Sequence, residues 1–215
     1  MTQAIIVNYE KRKKENLDRA LIRRRYAKAI TEAIKEHKSD SVILLETPPE
    51  NYLDVNLASV QSLIKNGFEG VYLSFQRPFN NISKLFEQEE IDINKVLVID
   101  GATAITGGIV DENSRCVGIP MDFEINNIIK TICSSLPRLN SKNRFVYVDS
   151  LTTMALYESR PKAFSLPEYL ANSIRKNRIE NVVLLFNIAE DIIQEKYIDR
   201  LSFYSDEHIH LGLCT

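Results

Sequence analysis

The feature that most constrains this 215-residue chain is an alternation that begins at residue 41. Short apolar runs stand at 42–45, 71–75, 96–99, 145–148 and 182–186. Stretches at 55–65, 80–90 and 123–136 separate several of them and carry apolar residues three and four apart. Leu57, Val60, Leu63 and Ile64 line the first of these stretches, and Ile82, Leu85 and Phe86 the second. Strands buried on both faces read as continuous apolar runs, and amphipathic helices between them cover the two faces. The expected fold is therefore α/β: a three-layer αβα sandwich around a mostly parallel sheet, with right-handed crossovers. Pro137 ends the third helix. Ser165 and Glu168 have the spacing of a capping box that opens a helix to about residue 178. The pattern also predicts a helix over 189–198, a last strand over 207–213 and a short strand over 4–7. The 101–120 stretch, with its Gly-Gly and Asp-Glu-Asn clusters, reads as turns with room for a small hairpin.

Residues 10–37 are helical in pattern, with Ile22, Tyr26, Ala29, Ile30, Ala33 and Ile34 on one stripe. Charge is uneven here: residues 1–40 hold 11 Lys/Arg against 6 Asp/Glu, and the remainder 16 against 23. One domain is expected for this length, with residues 1–40 as a basic helical arm on a 41–215 α/β domain. Lys11, Arg12, Lys13, Lys14, Arg23, Arg24 and Arg25 make the arm basic. The plain reading is a packed helix with a solvated basic side. Docking onto an acidic subunit, nucleic acid or an anionic membrane surface are the alternatives. Cys116, Cys133 and Cys214 lack metal-ligand spacing and read as reduced thiols. His208 and His210 share one face of the last strand, a weak signal for a metal. No run suits a membrane span and the N-terminus does not read as a signal peptide, so a cytoplasmic protein is expected.

The 41–54 stretch (SVILLETPPENYLD) has the strand, turn and helix order of a phosphate-binding loop. Such a loop needs glycines, so that backbone N–H groups can close on phosphate oxygens, and a lysine to reach the outer phosphates. This turn has neither. It carries Glu50 and Asp54, which suit a helix start but repel a polyphosphate.

Three segments together resemble the RecA-superfamily ATPases of the KaiC/RadA type, common in archaea. They are VILLETPP at 42–49, VYLSFQRP at 71–78 and RFVYVDSLTTM at 144–154. The resemblance runs from about 41 to 213 and implies a RecA-like fold. Laid on the family's nucleotide loop, Thr47 and Glu50 stand near glycine positions, and Leu53 and Asp54 near the Lys and Thr/Ser. Gln76 and Arg77 stand where the family has paired glutamates, one of which activates water. Gln can hold a water but is not a general base. Asp149, followed by Ser150, keeps the position that would hold Mg²⁺ through water. The resemblance thus implies a vestigial nucleotide site of Thr47, Glu50, Leu53, Asp54, Gln76, Asp149 and Ser150, with no catalytic residue and no required cofactor. Mg-ATP is the one candidate, not the favoured one. Asp149 and Ser150 also read plainly as a strand-end cap.

The expected function is a catalytically inactive pseudo-ATPase domain, a regulatory or interaction subunit that pairs with itself or a paralogous subunit in an oligomer. One alternative is a nucleotide or metal sensor, or weak ATPase, rebuilt from Glu46, Glu50, Asp54 and Asp149. The other is a recombinase-type accessory protein that binds DNA through its basic arm.

Overall fold

The computed structural model describes residues 2–37, 40–119, 124–157, 159–190 and 193–210. The β-strands are β1 (Val42–Thr47), β2 (Glu69–Ser74), β3 (Val96–Asp100), β4 (Cys116–Gly118), β5 (Arg144–Asp149), β6 (Val182–Ala189) and β7 (Glu207–His210). They form one sheet in the order β4-β3-β2-β5-β6-β1-β7, and every pairing is parallel. The α-helices are α1 (Thr2–His37), α2 (Tyr52–Lys65), α3 (Phe79–Gln88), α4 (Gly101–Ile105), α5 (Ile125–Ser135), α6 (Leu151–Tyr157), α7 (Arg160–Ala163), α8 (Leu166–Lys176) and α9 (Glu195–Phe203).

Because successive strand side chains point to opposite faces, each central strand feeds two cores. Val42, Leu44, Leu73, Val146, Val148 and Phe186 meet Ile128, Ile132, Leu166 and Leu170 of α5 and α8 on one face. Ile43, Leu45, Tyr72, Phe145 and Leu185 meet Tyr26, Ile30, Val60, Leu63 and Phe86 of α1, α2 and α3 on the other. The predicted stripe of α1 is thus part of the second core, with Tyr26, Ile30, Ala33 and Ile34 buried. Crowding between neighbouring strands is greatest at Gly70 of β2, the register partner of Phe145 on β5, where an added Cβ would enter the Phe145 ring. Gly70→Ala is expected to cost about 2–3 kcal/mol by overpacking, read as a lower urea midpoint; an unchanged midpoint would mean that the ring yields freely.

Several expectations are corrected. Residues 4–7 are helical, because the 36-residue α1 runs through them unbroken. Continuous helix overrides the strand preference of Ile-Ile-Val. The 101–120 stretch holds the small hairpin only as a single antiparallel bridge, in which the Asn113 and Cys116 backbones exchange hydrogen bonds. It opens with α4, whose first turn is capped by Asp100 accepting from the Thr103 N–H at 2.8 Å. It then turns at Asn113 and adds β4 as a parallel edge strand. The Ser165 hydroxyl donates to the Lys162 carbonyl at 2.7 Å, so it does not cap α8. The helix expected at 189–198 starts later, at Glu195, because β6 continues to Ala189 in register with Thr47. Short helices α6 and α7 add to the expected elements. Phe123, Pro120, Cys214 and the 211–213 part of the expected last strand lie outside the described residues; Cys116 and Cys133 are free thiols. Among the described residues, no helix is long and apolar enough to cross a membrane.

Candidate functional site

The three motif-bearing segments end at one edge of the sheet. β1, β2 and β5 all point their carboxyl ends there, with β6 between β5 and β1. A cleft of about 420 Å³ opens at these ends. Open α/β sheets bind their ligands in such positions.

The turn after β1 forms one wall. Pro48 and Pro49 have no N–H to offer. The Asn51 N–H donates to the Pro48 carbonyl at 3.0 Å, and the Tyr52 N–H to the Pro49 carbonyl. Four of the five peptide positions at 48–52 therefore have no N–H left for an anion, and residues 49–51 close into a 3₁₀ turn. Glu50 stands exposed at the mouth, with Pro49, Tyr52 and Leu53 lining the wall below it.

Asp149 ends β5, completely buried, and joins Ser150 through a cis peptide bond. Both carboxylate oxygens are occupied, one by the hydroxyl of Tyr52 and the other by that of Tyr72. Burial pushes the Asp149 carboxyl above its ordinary value, and the tyrosine hydrogen bonds only partly offset it. Burial also pushes both tyrosine hydroxyls well above theirs, with the Asp149 charge adding to the effect. Tyr72 stacks on Tyr147 at 5.4 Å between ring centres, and Tyr147 donates to Asn56 Oδ1 at 2.6 Å. This polar cluster continues inward from the cleft, behind Tyr52.

The other wall comes from the β2–α3 turn and from α6. Ser74 Oγ donates to the Arg77 carbonyl at 2.7 Å and accepts from the Arg77 N–H at 3.2 Å, which holds the turn. Gln76 Nε2 donates to Thr153 Oγ1 at 2.9 Å. Ser150 Oγ accepts from the Thr153 N–H at 3.1 Å, a cap on the first turn of α6. Thr152 Oγ1 accepts from the Ala189 N–H at 2.8 Å and ties α6 to β6.

Of the predicted site residues, Glu50, Leu53, Gln76 and Ser150 line this cleft, with Arg77 beside them. Asp149 lies behind Tyr52. Thr47 is fully buried, and its hydroxyl has no partner among the described residues. Asp54 faces away from the cleft, toward α1. Arg23 Nε reaches its Oδ1 at 2.7 Å and Arg19 Nε its Oδ2 at 3.1 Å. Arg23 also forks onto Glu89 beyond the end of α3, and that bond leads the rise of its already high pKa. One arginine thus ties three helices. Arg24 is exposed and Arg25 half-buried, and the side chains of Lys11, Arg12, Lys13 and Lys14 lie outside the described ones.

The acidic set expected for a rebuilt metal site does not gather. Glu46 meets His208 Nε2 at 3.0 Å, Asp54 meets the arginines, and Asp149 meets the tyrosines. His210 Nε2 pairs with Glu190 at 2.8 Å. No group of three or more His, Cys, Asp or Glu suited to a metal occurs among the described residues. Sequence reasoning missed Tyr52, Tyr72, Arg19 and α6. A signal existed for Tyr72 and Tyr147: a tyrosine inside an apolar strand carries a hydroxyl that needs a buried partner.

No family model matches the chain, and no curated protein does. Solved structures do. The chain is similar to an uncharacterized protein, PH0321, of Pyrococcus horikoshii, crystallised in complex with an unknown peptide. That match has a TM-score of 0.62 and 10% identity, over 82% of this chain and 80% of the other. It is also similar to the KaiC-like protein PH0186 of Pyrococcus horikoshii OT3, with a TM-score of 0.53 and 15% identity, over 81% and 76%. The fold is RecA/KaiC-like. In this KaiC-like frame, the cleft at the ends of β1, β2 and β5 is where the three resembling segments converge, and its chemistry is set by the residues just described.

Proposed function

We propose that this chain is a KaiC-like domain without ATPase activity, working as a regulatory or interaction subunit. The observation that carries the reading is the 48–52 turn, whose prolines and internal hydrogen bonds leave no ring of N–H donors for phosphates. Phosphoryl transfer rests on cradling phosphate, neutralising its charge and placing water. This turn has no lysine, and Glu50 stands where a polyphosphate would approach. Asp149, the remaining metal-binding type of residue, is engaged on both oxygens by tyrosine hydroxyls.

An interaction role draws support from two facts. The similar PH0321 was solved with a peptide bound. Leu17 and Leu21 are exposed on α1 ahead of its packed stripe, which favours a protein partner, this chain or a paralogue, over nucleic acid. Arg19 and Arg23, two cations a nucleic acid would use, are spent on Asp54 and Glu89.

Calorimetry with Mg-ATP and Mg-ADP up to millimolar concentration tests the reading. The expected result is no binding heat and no phosphate release. Nucleotide binding that disappears in Asp149→Asn would overturn it and establish a rebuilt nucleotide site.

A further inference from the structure

The cleft has a charge arrangement that the loss of nucleotide chemistry does not explain. Arg77 lines it half-buried, held at its backbone by Ser74 on both sides. Its guanidinium makes one hydrogen bond, to Gln76 Oε1 at 3.3 Å, and meets no carboxylate among the described residues. It acts on buried Asp149 only through space. A guanidinium presents five N–H donors in a fork that matches a carboxylate. The hydroxyls of Ser150 and Thr153 and the amide of Gln76 stand in the same lining. Apart from Glu50 and Thr152, the rest is apolar: Pro49, the Tyr52 ring, Leu53, Leu156 and Ala189. Leu156 is 74% exposed and its neighbour Tyr157 57%. Both side chains end α6, Leu156 in the lining of the cleft and Tyr157 beyond it, so exposed apolar surface continues past the cleft. An extended chain would cover both.

We propose that this cleft binds a short acidic peptide segment of a partner protein, with one carboxylate on Arg77 and a neighbouring apolar side chain against Leu53 and Leu156. Glu50, the other charged side chain of the lining, disfavours a second acid close to the 48–52 turn. The motif therefore pairs one Asp or Glu, or a chain-terminal carboxylate, with apolar neighbours. The inference rests on the interaction-subunit reading above and names its partner chemistry.

The test is a displayed library of short random peptides panned on the full chain, with the enriched peptides synthesised and titrated by fluorescence anisotropy. Enriched sequences are expected to carry one acid beside an apolar residue. Arg77→Gln is expected to weaken them about tenfold or more, equivalent to about 1.4 kcal/mol. Arg77→Lys should recover part of that loss as a point charge without the fork. Changing the peptide's acid to its amide should match the Arg77→Gln effect, and Leu156→Ser should weaken binding independently. Arg77 is half-buried and Leu156 exposed, and neither belongs to the two cores, so these variants keep the fold, which circular dichroism checks. No enrichment, enriched peptides without an acid, or equal affinity for Arg77→Gln would overturn the proposal. Mg-ATP added to the bound peptide separates the two readings. Displacement by nucleotide would defeat the non-nucleotide function and leave the peptide cleft standing. Absence of both ligands would defeat the peptide and leave the function reading intact.

Discussion

Replacing Arg19 and Arg23 together by glutamine is expected to destabilise the protein by about 3 kcal/mol, the scale of a buried charge stripped of its partners. Asp54 is 2% exposed in its side chain, and these two guanidinium groups are its charged partners among the described residues. The penalty therefore falls on Asp54, since the arginines themselves are 57% and 30% exposed. Each single variant should cost much less, because one guanidinium remains; Arg23→Gln should be the worse, since it also frees Glu89. Urea denaturation at neutral pH reads the effect. Adding Asp54→Asn to the double variant should restore most of the loss by removing the stranded charge. A double variant within about 0.5 kcal/mol of the parent, the range of an ordinary surface change, would show that the clamp contributes nothing.

Asp149→Ala is expected to cost about 3–5 kcal/mol, from two buried tyrosine hydroxyls left without acceptors and the hole where the carboxylate stood. Asp149→Asn should be far milder, because its amide still accepts from one tyrosine and can donate to the other. The two variants also separate in their pH dependence. Burial raises the Asp149 carboxyl above 3.8 in the folded state. A carboxyl whose folded value is raised contributes stability that is full below its unfolded value and is lost as pH rises through the folded one. The stability of Asp149→Asn relative to the parent should therefore climb across that window, with a slope of at most about 1.4 kcal/mol per pH unit. Denaturation at a series of pH values from acid to neutral measures it. A flat difference would mean that the carboxyl titrates alike in folded and unfolded chains. For the same reason Asp149→Asn, not Asp149→Ala, is the control for nucleotide binding, since the alanine variant confuses a lost ligand with a damaged core.

The strands were legible because a doubly covered parallel sheet leaves little freedom: 42–45, 71–75 and 145–148 must be apolar throughout. The three resembling segments converge because parallel strands of one sheet share a carboxyl edge. Local signals failed where tertiary contacts outweighed them. Ala4-Ile5-Ile6-Val7 has strand composition, yet α1 continues through it. Ser165 and Glu168 have capping-box spacing, yet the Ser165 hydroxyl finds the nearer Lys162 carbonyl. Of the expected site residues, Glu50, Leu53, Gln76 and Ser150 line one cleft, and the contacts of Thr47, Asp54 and Asp149 were not legible in the sequence. The sequence sets Asp54 against a bound phosphate, whereas its partners lie 31 and 35 positions earlier, on the basic side of a helix whose pattern reads as packed with that side solvated. Glu46 and Asp149 stand near strand ends and Asp54 in the first turn of α2, and strand direction and helix packing send them to three different neighbours. Nothing in spacing alone marks Tyr52 as the group that seals Asp149.

The order of strands in the sheet has a consequence for how the chain is made. β1 is translated early, but both of its neighbours come from the far end: β6 at 182–189 and β7 at 207–210. The β2, β3 and β5 pairings can close while synthesis continues, as the ribosome releases about 5–20 residues per second. β1 cannot, and its apolar run must wait for well over a hundred residues to emerge. Such distant pairings slow folding, because the loop must close before the contact rewards it. During that interval α1 and α2 are the nearest apolar surfaces to β1 in sequence. The helix that holds Asp54 in the finished protein is thus also placed to shelter the first strand on the nascent chain.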